Sequence, residues 1–354
     1  MFYHLSLALK DHISLLNVIH YVSFRAMAGL ASSLLLSCIV GTWFIEQSKK
    51  YFRAHTREYT PESHKNKGEM PTMGGLFILF VVIVNCLLWC NIVQCEIIIF
   101  LLALVGFGCI GFWDDWSKIR FKKGISERYK FVAQIAVATF IIVSWVLLCE
   151  PSLSISLPFF KNVSLPLGYL FIPWAVFVLV ATSNAVNLTD GLDGLAIGSL
   201  ILNFGTFSII AYAAGHFLIA SYLHIPFAGT AELGIVGAIL VGASLGFLWY
   251  NTYPAQIFMG DVGSLALGAG LGLMALMTKQ ELLLILSGGL FVAETLSVII
   301  QVITFKLWGT RFFKMAPLHH HLELKGWQES KITIRCGIIT LILCLFTLMT
   351  LKLR

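Results

Sequence analysis

Charged residues are scarce in this chain of 354 residues: they make up 12% of it, against about 25% in an average soluble protein. Apolar residues make up 58%, and the mean hydropathy is +0.86. A soluble domain of this length could not bury so many apolar side chains. The composition therefore excludes a soluble enzyme, a disordered tail and a fibrous repeat, and it indicates an integral membrane protein.

The eight cysteines lack any CxxC pair and lie in or beside apolar runs. We interpret them as small hydrophobic residues rather than as a disulfide framework or a zinc site.

Residues 1–23 mix Lys10, Asp11 and three histidines and lack a small-residue cleavage site, so no cleavable signal peptide is expected. No long soluble segment and no internal repeat is visible. We therefore expect residues 1–354 to form a single polytopic membrane domain.

Apolar stretches of about the 20 residues that a helix needs to cross a bilayer recur along the chain. They predict an all-α membrane protein with about ten transmembrane helices. Residues 216–232 are too polar to form another span, and their proline and glycine residues would interrupt a helix. The predicted spans are 24–45, 74–94, 97–113, 131–149, 167–186, 195–215, 233–250, 262–277, 282–305 and 333–351.

The basic residues separate the predicted loops into two sets. The loops after the first, third and ninth spans hold seventeen of them, namely Lys49, Lys50, Arg53, Arg57, Lys65, Lys67, Lys118, Arg120, Lys122, Lys123, Arg128, Lys130, Lys306, Arg311, Lys314, Lys325 and Lys331. The four loops on the opposite side hold only Lys161 and Lys279. Because cytoplasmic loops are enriched in Lys and Arg, we expect the basic loops to be cytoplasmic and both termini to be extracytoplasmic.

Five of the six aspartates lie in or beside the same cytoplasmic loops. These five are Asp114, Asp115, Asp190, Asp193 and Asp261. Three separate loops thus bring carboxylates to one membrane face, which also carries the basic residues and a run of three histidines. This composition predicts a site for a metal ion bound to phosphates on the cytoplasmic face.

Asp114 and Asp115 are predicted to end the third span, at a helix C-terminus. Two adjacent carboxylates there oppose each other and the negative end of the helix dipole. A solvated helix end could hold them, but a nearby cation is favoured, and Mg²⁺, Lys118 and Lys130 are the alternatives.

Residues 187–194 (Asn-Leu-Thr-Asp-Gly-Leu-Asp-Gly) join the fifth and sixth spans. Asn, Thr and Asp are common helix caps, but capping accounts for only one of the two aspartates. The glycine after each aspartate would let the backbone approach a ligand closely. These features favour a binding loop over a plain cap.

Residues 251–264 (NTYPAQIFMGDVGS) join the seventh and eighth spans. Asp261 is either an N-cap or a ligand of a metal held with an anion at the helix start. Phe258 either packs against the loop or offers a flat ring on which a base can stack. Both alternatives remain open from these residues alone.

Two further segments carry candidate phosphate-binding groups. The glycines of residues 71–75 (PTMGG), preceded by Lys65 and Lys67, suit a phosphate or diphosphate at a helix start. His319, His320 and His321 are consecutive and cannot all face one ion, so phosphate hydrogen bonding is favoured over a zinc site. Glu294 and Gln301 lie at membrane depth, where structural hydrogen bonds are expected.

Residues 71–75, the Asp114–Asp115 pair, residues 187–196, 251–268 and 315–327 together resemble the phospho-N-acetylmuramoyl-pentapeptide transferase family. The resemblance covers nearly the whole chain. The histidine run distinguishes this branch from other polyprenyl-phosphate sugar-phosphate transferases.

The resemblance implies a Mg²⁺-dependent exchange in the bacterial inner membrane. UDP-N-acetylmuramoyl-pentapeptide and undecaprenyl phosphate would give lipid I and UMP, the first membrane step of peptidoglycan synthesis. It also implies a homodimer within the lipid bilayer, and it implies no nucleic acid as a partner. By motif position Asp261 would bind Mg²⁺, with Asp114 and Asp115 as further candidate ligands.

The resemblance also implies roles for the other site residues. The group nearest the transferring phosphates would comprise Asp114, Asp115, Asp261, Lys130, His319, His320 and His321. The substrate-binding group would comprise Lys67, Thr72, Asn187, Asp190, Asp193, Asn251, Phe258 and Gly260.

Two rival functions are weighed against this one. A transporter would place its polar site near the bilayer midplane, often between repeated halves, whereas these carboxylates cluster at one face. A sister transferase that uses UDP-N-acetylglucosamine is the closer rival, and the histidine run argues against it.

Overall fold

The computed structural model describes residues 1–9, 13–52, 70–160 and 163–353. This part of the chain is helical apart from one antiparallel hairpin, β1 (Ser154–Ser156) and β2 (Ser164–Pro166), and short 3-10 turns. The helices are α1 (Phe2–Leu9), α2 (Val22–Tyr51), α3 (Gly74–Trp89), α4 (Cys95–Phe121), α5 (Glu127–Cys149), α6 (Phe171–Thr189), α7 (Leu195–Ala214), α8 (Phe217–Leu223), α9 (Ala231–Asn251), α10 (Gly260–Met277), α11 (Leu283–Ser287), α12 (Gly289–Trp308), α13 (Leu318–Glu323) and α14 (Glu329–Thr350).

The prediction of a helical membrane protein is confirmed. Within the described residues, 9 helices are long and apolar enough to cross a membrane, and α3 is a shorter apolar helix of 16 residues. The predicted ninth span is divided at Gly288 into α11 and α12. The polar stretch 216–232 contains only α8, whose 7 residues are too few to cross a bilayer.

The helices run back and forth between two ends of the bundle. The aspartate end carries the end of α6 and the start of α10, with Asp190 and Asp261. The distal end, opposite to it, carries the β hairpin, α8 and residues 278–282. Met1 and Lys352 lie near the distal end, since the Met1 ammonium donates to the Leu87 carbonyl and Lys352 Nζ lies 3.1 Å from the Tyr222 carbonyl.

Helix α10 forms the centre of the bundle. Every residue from Val262 to Met277 is buried, as a helix that is apolar on all sides requires. A Cβ atom on Gly75 of α3 would lie 2.1 Å from the Gly263 nitrogen, and one on Gly111 of α4 would lie 2.2 Å from the Asp261 carbonyl oxygen. The backbones of α3 and α4 therefore touch the start of α10 and fix the position of Asp261.

The interpretation of all eight cysteines as small hydrophobic residues is wrong for two of them. Cys95 and Cys149 form a disulfide, with their Cα atoms 6.1 Å apart. Cys95 begins α4 and Cys149 ends α5, so antiparallel packing of these helices brings the two thiols together at the distal end. The two cysteines are 54 residues apart, so short-range spacing such as CxxC could not indicate that they pair.

The prediction that Asp114 and Asp115 end a helix is also wrong. Helix α4 continues to Phe121, so the two carboxylates lie well inside it and away from the negative end of its dipole. Lys118 lies three and four residues later and forms ion pairs with both aspartates. This neutralisation allows the helix to continue past them.

We expect Gly75→Ala to destabilise the fold, because the added methyl group has no space against the α10 backbone. Overpacking of this kind costs about 1–3 kcal/mol. Gly337→Ala in α14 is the matched control, since its added Cβ has no heavy atom of the described structure within 4 Å beyond its chain neighbours and the adjacent backbone of its own helix. Thermal unfolding in detergent should show a lower midpoint for the first variant only. Equal midpoints for both would contradict the close contact.

Candidate active site

Three carboxylates meet at the aspartate end of the bundle. Asp114 and Asp115 come from α4, and Asp261 comes from the first turn of α10. One oxygen atom from each lies within 4.8 Å of the others. Asp114 and Asp115 are only 4% and 5% exposed, so their repulsion is poorly screened by water.

Two lysines neutralise this cluster. The Lys118 ammonium lies 2.8 Å from Asp114 Oδ2, 3.1 Å from Asp115 Oδ1 and 2.9 Å from Asp261 Oδ2. Lys130, which was predicted to belong to the site, lies 3.2 Å from Asp114 Oδ2 and also pairs with Asp261. One oxygen from each aspartate thus already faces a single cation.

Backbone and amide donors hold the three carboxylates in place. Asp114 Oδ1 accepts a hydrogen bond of 2.9 Å from the Ile125 amide, and Asp115 Oδ2 accepts one of 3.3 Å from the Val262 amide. Asn187 Nδ2 donates to Asp261 Oδ1 at 3.0 Å. The predicted residue Asn187 therefore contacts the aspartate cluster itself.

The segments 71–75 and 258–260 are joined by backbone hydrogen bonds. The Gly74 amide donates to the Phe258 carbonyl at 2.8 Å, and the Phe258 amide donates to the Pro71 carbonyl at 3.0 Å. Gly260 has a φ of 72°, and a Cβ there would lie 2.5 Å from Asp115 Oδ2 and 3.1 Å from Thr72 Oγ1. Thr72 and Gly260 thus border the aspartates, and Phe258 lies half-buried beside them.

The loop between α6 and α7 contributes Asp190 to the same region. Burial, and then repulsion from Asp261, Asp115 and Asp193, raises the pKa of Asp190 to about 8. Asp190 therefore holds a proton at neutral pH unless a cation lies nearby. Neither aspartate of the loop caps α7, whose N-cap is Gly194 without a side-chain cap bond.

Asp193 and Asn251 connect neighbouring loops. Asp193 Oδ2 accepts a hydrogen bond of 3.0 Å from the Ala255 amide. Asn251 Oδ1 accepts one of 3.1 Å from the Gly194 amide, while its Nδ2 donates to the Ile257 carbonyl at 2.8 Å. These contacts tie the loop before α7 to the loop before α10.

The three histidines have three different surroundings. His319 is 1% exposed, its Nδ1 lies 3.2 Å from Glu294 Oε2, and its ring packs against Gly191. His320 Nδ1 lies 2.6 Å from a Glu323 carboxylate oxygen, whereas His321 Nδ1 accepts a hydrogen bond from the Lys314 amide. Such divergent rings do not converge on one ion.

Some site contacts go beyond what the sequence predicted. Lys118, which the sequence offered as a candidate cation for Asp114 and Asp115, contacts both of them and also contacts Asp261, 143 residues away. Glu329 accepts a hydrogen bond of 2.8 Å from the Asp193 amide. The two residues are 136 positions apart in the sequence, so no local pattern indicates this contact. Lys67 lies outside the described residues.

The arrangement can hold a divalent cation beside phosphate oxygens. Three carboxylate oxygens are the ligand type that Mg²⁺ prefers, and here they converge on one position that the Lys118 ammonium takes. The three aspartates and two lysines sum to one negative charge. A divalent cation would therefore make the site positive and suited to anionic substrates.

Comparison with known proteins places this chain in a family. Residues 97–279 match the model of the family described as Glycosyl transferase family 4. The chain is 48% identical over 358 residues to the phospho-N-acetylmuramoyl-pentapeptide-transferase of Geobacter sp. (strain M21), and 46% identical over 360 residues to that of Aquifex aeolicus (strain VF5). Both alignments cover 100% of each chain. The chain therefore belongs to the family of phospho-N-acetylmuramoyl-pentapeptide transferases.

Proposed function

We propose that this chain transfers phospho-N-acetylmuramoyl-pentapeptide from its UDP-linked donor to undecaprenyl phosphate, which gives lipid I and UMP. The observation that carries the proposal is the convergence of Asp114, Asp115 and Asp261 on one cation position in a chain of this family. A lipid acceptor explains why the reaction needs a membrane protein, because the nucleophile comes from the bilayer and the nucleotide from water.

The main obstacle to this reaction is electrostatic. Two unit charges of like sign 4 Å apart repel by about 4 kcal/mol at an effective dielectric constant of 20, and both substrates are anions. Phosphoryl transfer therefore depends chiefly on positioning and charge neutralisation. Lys118 and Lys130 supply two positive charges. Mg²⁺ held by Asp261, with Asp114 and Asp115 as further ligands, would neutralise the diphosphate.

The nucleotide would bind along the segments that border the aspartates. We assign Lys67, Thr72 and Gly260 to the phosphates, since glycine-rich helix starts suit anions. Phe258 would stack on the uracil ring. Asn187, Asp190, Asp193 and Asn251 would shape the nucleotide side of the site, the last two by holding the loops together.

We propose that the aspartate end faces the cytoplasm of a bacterial inner membrane and that the protein is a homodimer. The distribution of lysine and arginine supports this orientation. The Cys95–Cys149 disulfide at the distal end also supports it, because disulfides persist in oxidising compartments outside the cytoplasm.

Asp114 and Asp115 would hold the ammonium groups of the site lysines in place rather than remove a proton from the lipid phosphate. A phosphate monoester has its second pKa near 6, so most of the lipid phosphate is already dianionic at neutral pH. Asp114 pairs with both lysines, and Asp115 pairs with Lys118. A direct single displacement then needs neither a general base nor a covalent aspartyl intermediate.

The proposal is tested by incubating the purified protein and Mg²⁺ with undecaprenyl phosphate and each nucleotide sugar in turn. We expect UMP and lipid I from UDP-N-acetylmuramoyl-pentapeptide. UMP from UDP-N-acetylglucosamine alone would instead identify the sister transferase. Release of no UMP from either donor would contradict the transferase proposal and favour a transporter.

We expect Asp261→Asn to lower turnover by at least about 100-fold, the scale on which loss of one electrostatic contact slows a reaction. The protein should still fold, because Asn retains the size of the side chain. Glu46→Gln, which removes an exposed carboxylate from α2, is the control and should keep its activity. Normal turnover of Asp261→Asn at limiting Mg²⁺ would show that Asp261 is not a metal ligand.

We expect Phe258→Ala to weaken binding of the UDP-linked donor, because base stacking on an aromatic ring is worth about 1–3 kcal/mol. Use of the lipid substrate should change less. Phe258→Leu separates the two roles, since leucine retains apolar packing but offers no ring. Calorimetry should show weak binding for both variants, and recovery with Leu would assign Phe258 to packing alone.

We expect Asp114→Asn to lose activity at every pH from 6 to 9, because the lost charge no longer orders Lys118 and Lys130. The side-chain oxygen of Asn can still accept the Ile125 hydrogen bond, so the local fold should persist. Steady-state rates across this pH range provide the measurement. A rate that rises toward that of the unmodified protein at high pH would show that Asp114 acts as a base.

A further inference from the structure

The start of α14 holds the α6–α7 loop, which we define as residues 190–194. Glu329 lies half-buried in the first turn of α14, and one carboxylate oxygen accepts a hydrogen bond of 2.8 Å from the Asp193 amide. Thr333 lies one turn later on the same face of the helix, and its hydroxyl donates to the Asp193 carbonyl at 3.2 Å. Two side chains of α14 therefore hold the backbone of one loop residue.

Apolar packing fixes the same loop to α14. A small cluster of buried side chains forms there, separate from the main core of the described structure. Two of its members flank the glycine and aspartate at the end of the loop, and two others come from α14. The members of the cluster are Leu192, Leu195, Leu290, Ile332 and Cys336. The hydrogen bonds from α14 are thus made across a packed contact.

On its other side, the α6–α7 loop contacts the segment that precedes α10. The Asp193 carboxylate accepts a hydrogen bond of 3.0 Å from the Ala255 amide. Asn251 accepts one from the Gly194 amide and donates to the carbonyl of the residue directly before Phe258. The loop therefore lies between α14 and the segment that carries Phe258, and it connects the two by hydrogen bonds.

A first-turn acid such as Glu329 could also serve only to stabilise its own helix through the helix dipole. That role requires a negative charge but no particular partner. The observed contact is a directed hydrogen bond to the amide of Asp193, which is 3% exposed. A backbone amide in such a place needs an acceptor, so loss of Glu329 would allow the loop to shift.

We propose that Glu329 is a positioning residue for the UDP-linked donor, with Thr333 as the second contact. By holding the backbone of Asp193, α14 keeps the α6–α7 loop in the arrangement that fits the nucleotide. This inference rests on the proposed function, in which Asp193 and Phe258 belong to the nucleotide side of the site. The charge neutralisation that drives transfer belongs to the aspartates and lysines, so Glu329 should affect donor affinity more than turnover.

Steady-state kinetics of the purified full chain can test this role. We expect Glu329→Ala to raise the KM for UDP-N-acetylmuramoyl-pentapeptide about tenfold, the scale of one charge-assisted hydrogen bond. The kcat and the KM for undecaprenyl phosphate should stay nearly unchanged. Glu329→Gln should restore the donor KM, because its amide oxygen still accepts the Asp193 hydrogen bond. Glu127→Ala, which removes an exposed first-turn acid from α5, is the matched control and should keep the donor KM.

Three kinetic outcomes would overturn the proposal. The first is an unchanged donor KM in Glu329→Ala. The second is an equal defect in Glu329→Ala and Glu329→Gln, because the charge at the start of α14 rather than the hydrogen bond would then matter. The third is a loss of kcat that accompanies a lower unfolding midpoint with the donor KM unchanged, which would assign Glu329 to folding alone.

Thr333→Val provides a second variant, which keeps the shape of the side chain but cannot donate to the Asp193 carbonyl. It should raise the donor KM as Glu329→Ala does, so the proposal remains testable if Glu329→Ala fails to fold. Thr333→Ser retains the hydroxyl and should keep the donor KM. An unchanged donor KM in folded Thr333→Val would contradict the role of the α14 contacts.

Hydrogen–deuterium exchange of the full chain without substrates measures the loop independently of activity. Exchange across the α6–α7 loop should be faster in Glu329→Ala and unchanged in Glu127→Ala, because the Asp193 amide loses its acceptor. Unchanged exchange in folded Glu329→Ala would overturn the positioning role. Release of no UMP by the unmodified protein, with faster exchange in Glu329→Ala, would instead contradict the proposed function and support the contact.

Discussion

Direct backbone contact between α10 and its neighbours α3 and α4 is the constraint on which the rest of the structure depends. Glycines at 75 and 111 allow the approach, because any side chain there would collide with the α10 backbone. This contact brings Asp261 into the range of Asp114 and Asp115, and the Val262 amide donates a hydrogen bond to Asp115. Packing inside the bundle thus determines the geometry of the charged site at its end.

The charged site is balanced close to neutrality without a bound ligand. Three carboxylates crowded together would repel one another, and the two lysines offset most of that repulsion. A divalent cation that joins the carboxylates would leave the lysines available to anionic substrates. The same residues can therefore stabilise the resting protein and neutralise phosphates when substrates bind.

The sequence by itself determined the helical membrane fold, because apolar runs of bilayer length and the alternation of basic loops are local properties of the chain. It also located the motifs, and the structure brings Asn187, Thr72, Lys130 and Gly260 to the three aspartates. Local patterns could not reveal contacts between distant segments. The Lys118–Asp261 ion pair, the Glu329–Asp193 contact and the Cys95–Cys149 disulfide all required the packed helices. Side chains far apart along the chain meet only where helix packing places them, so only the tertiary structure decided these features.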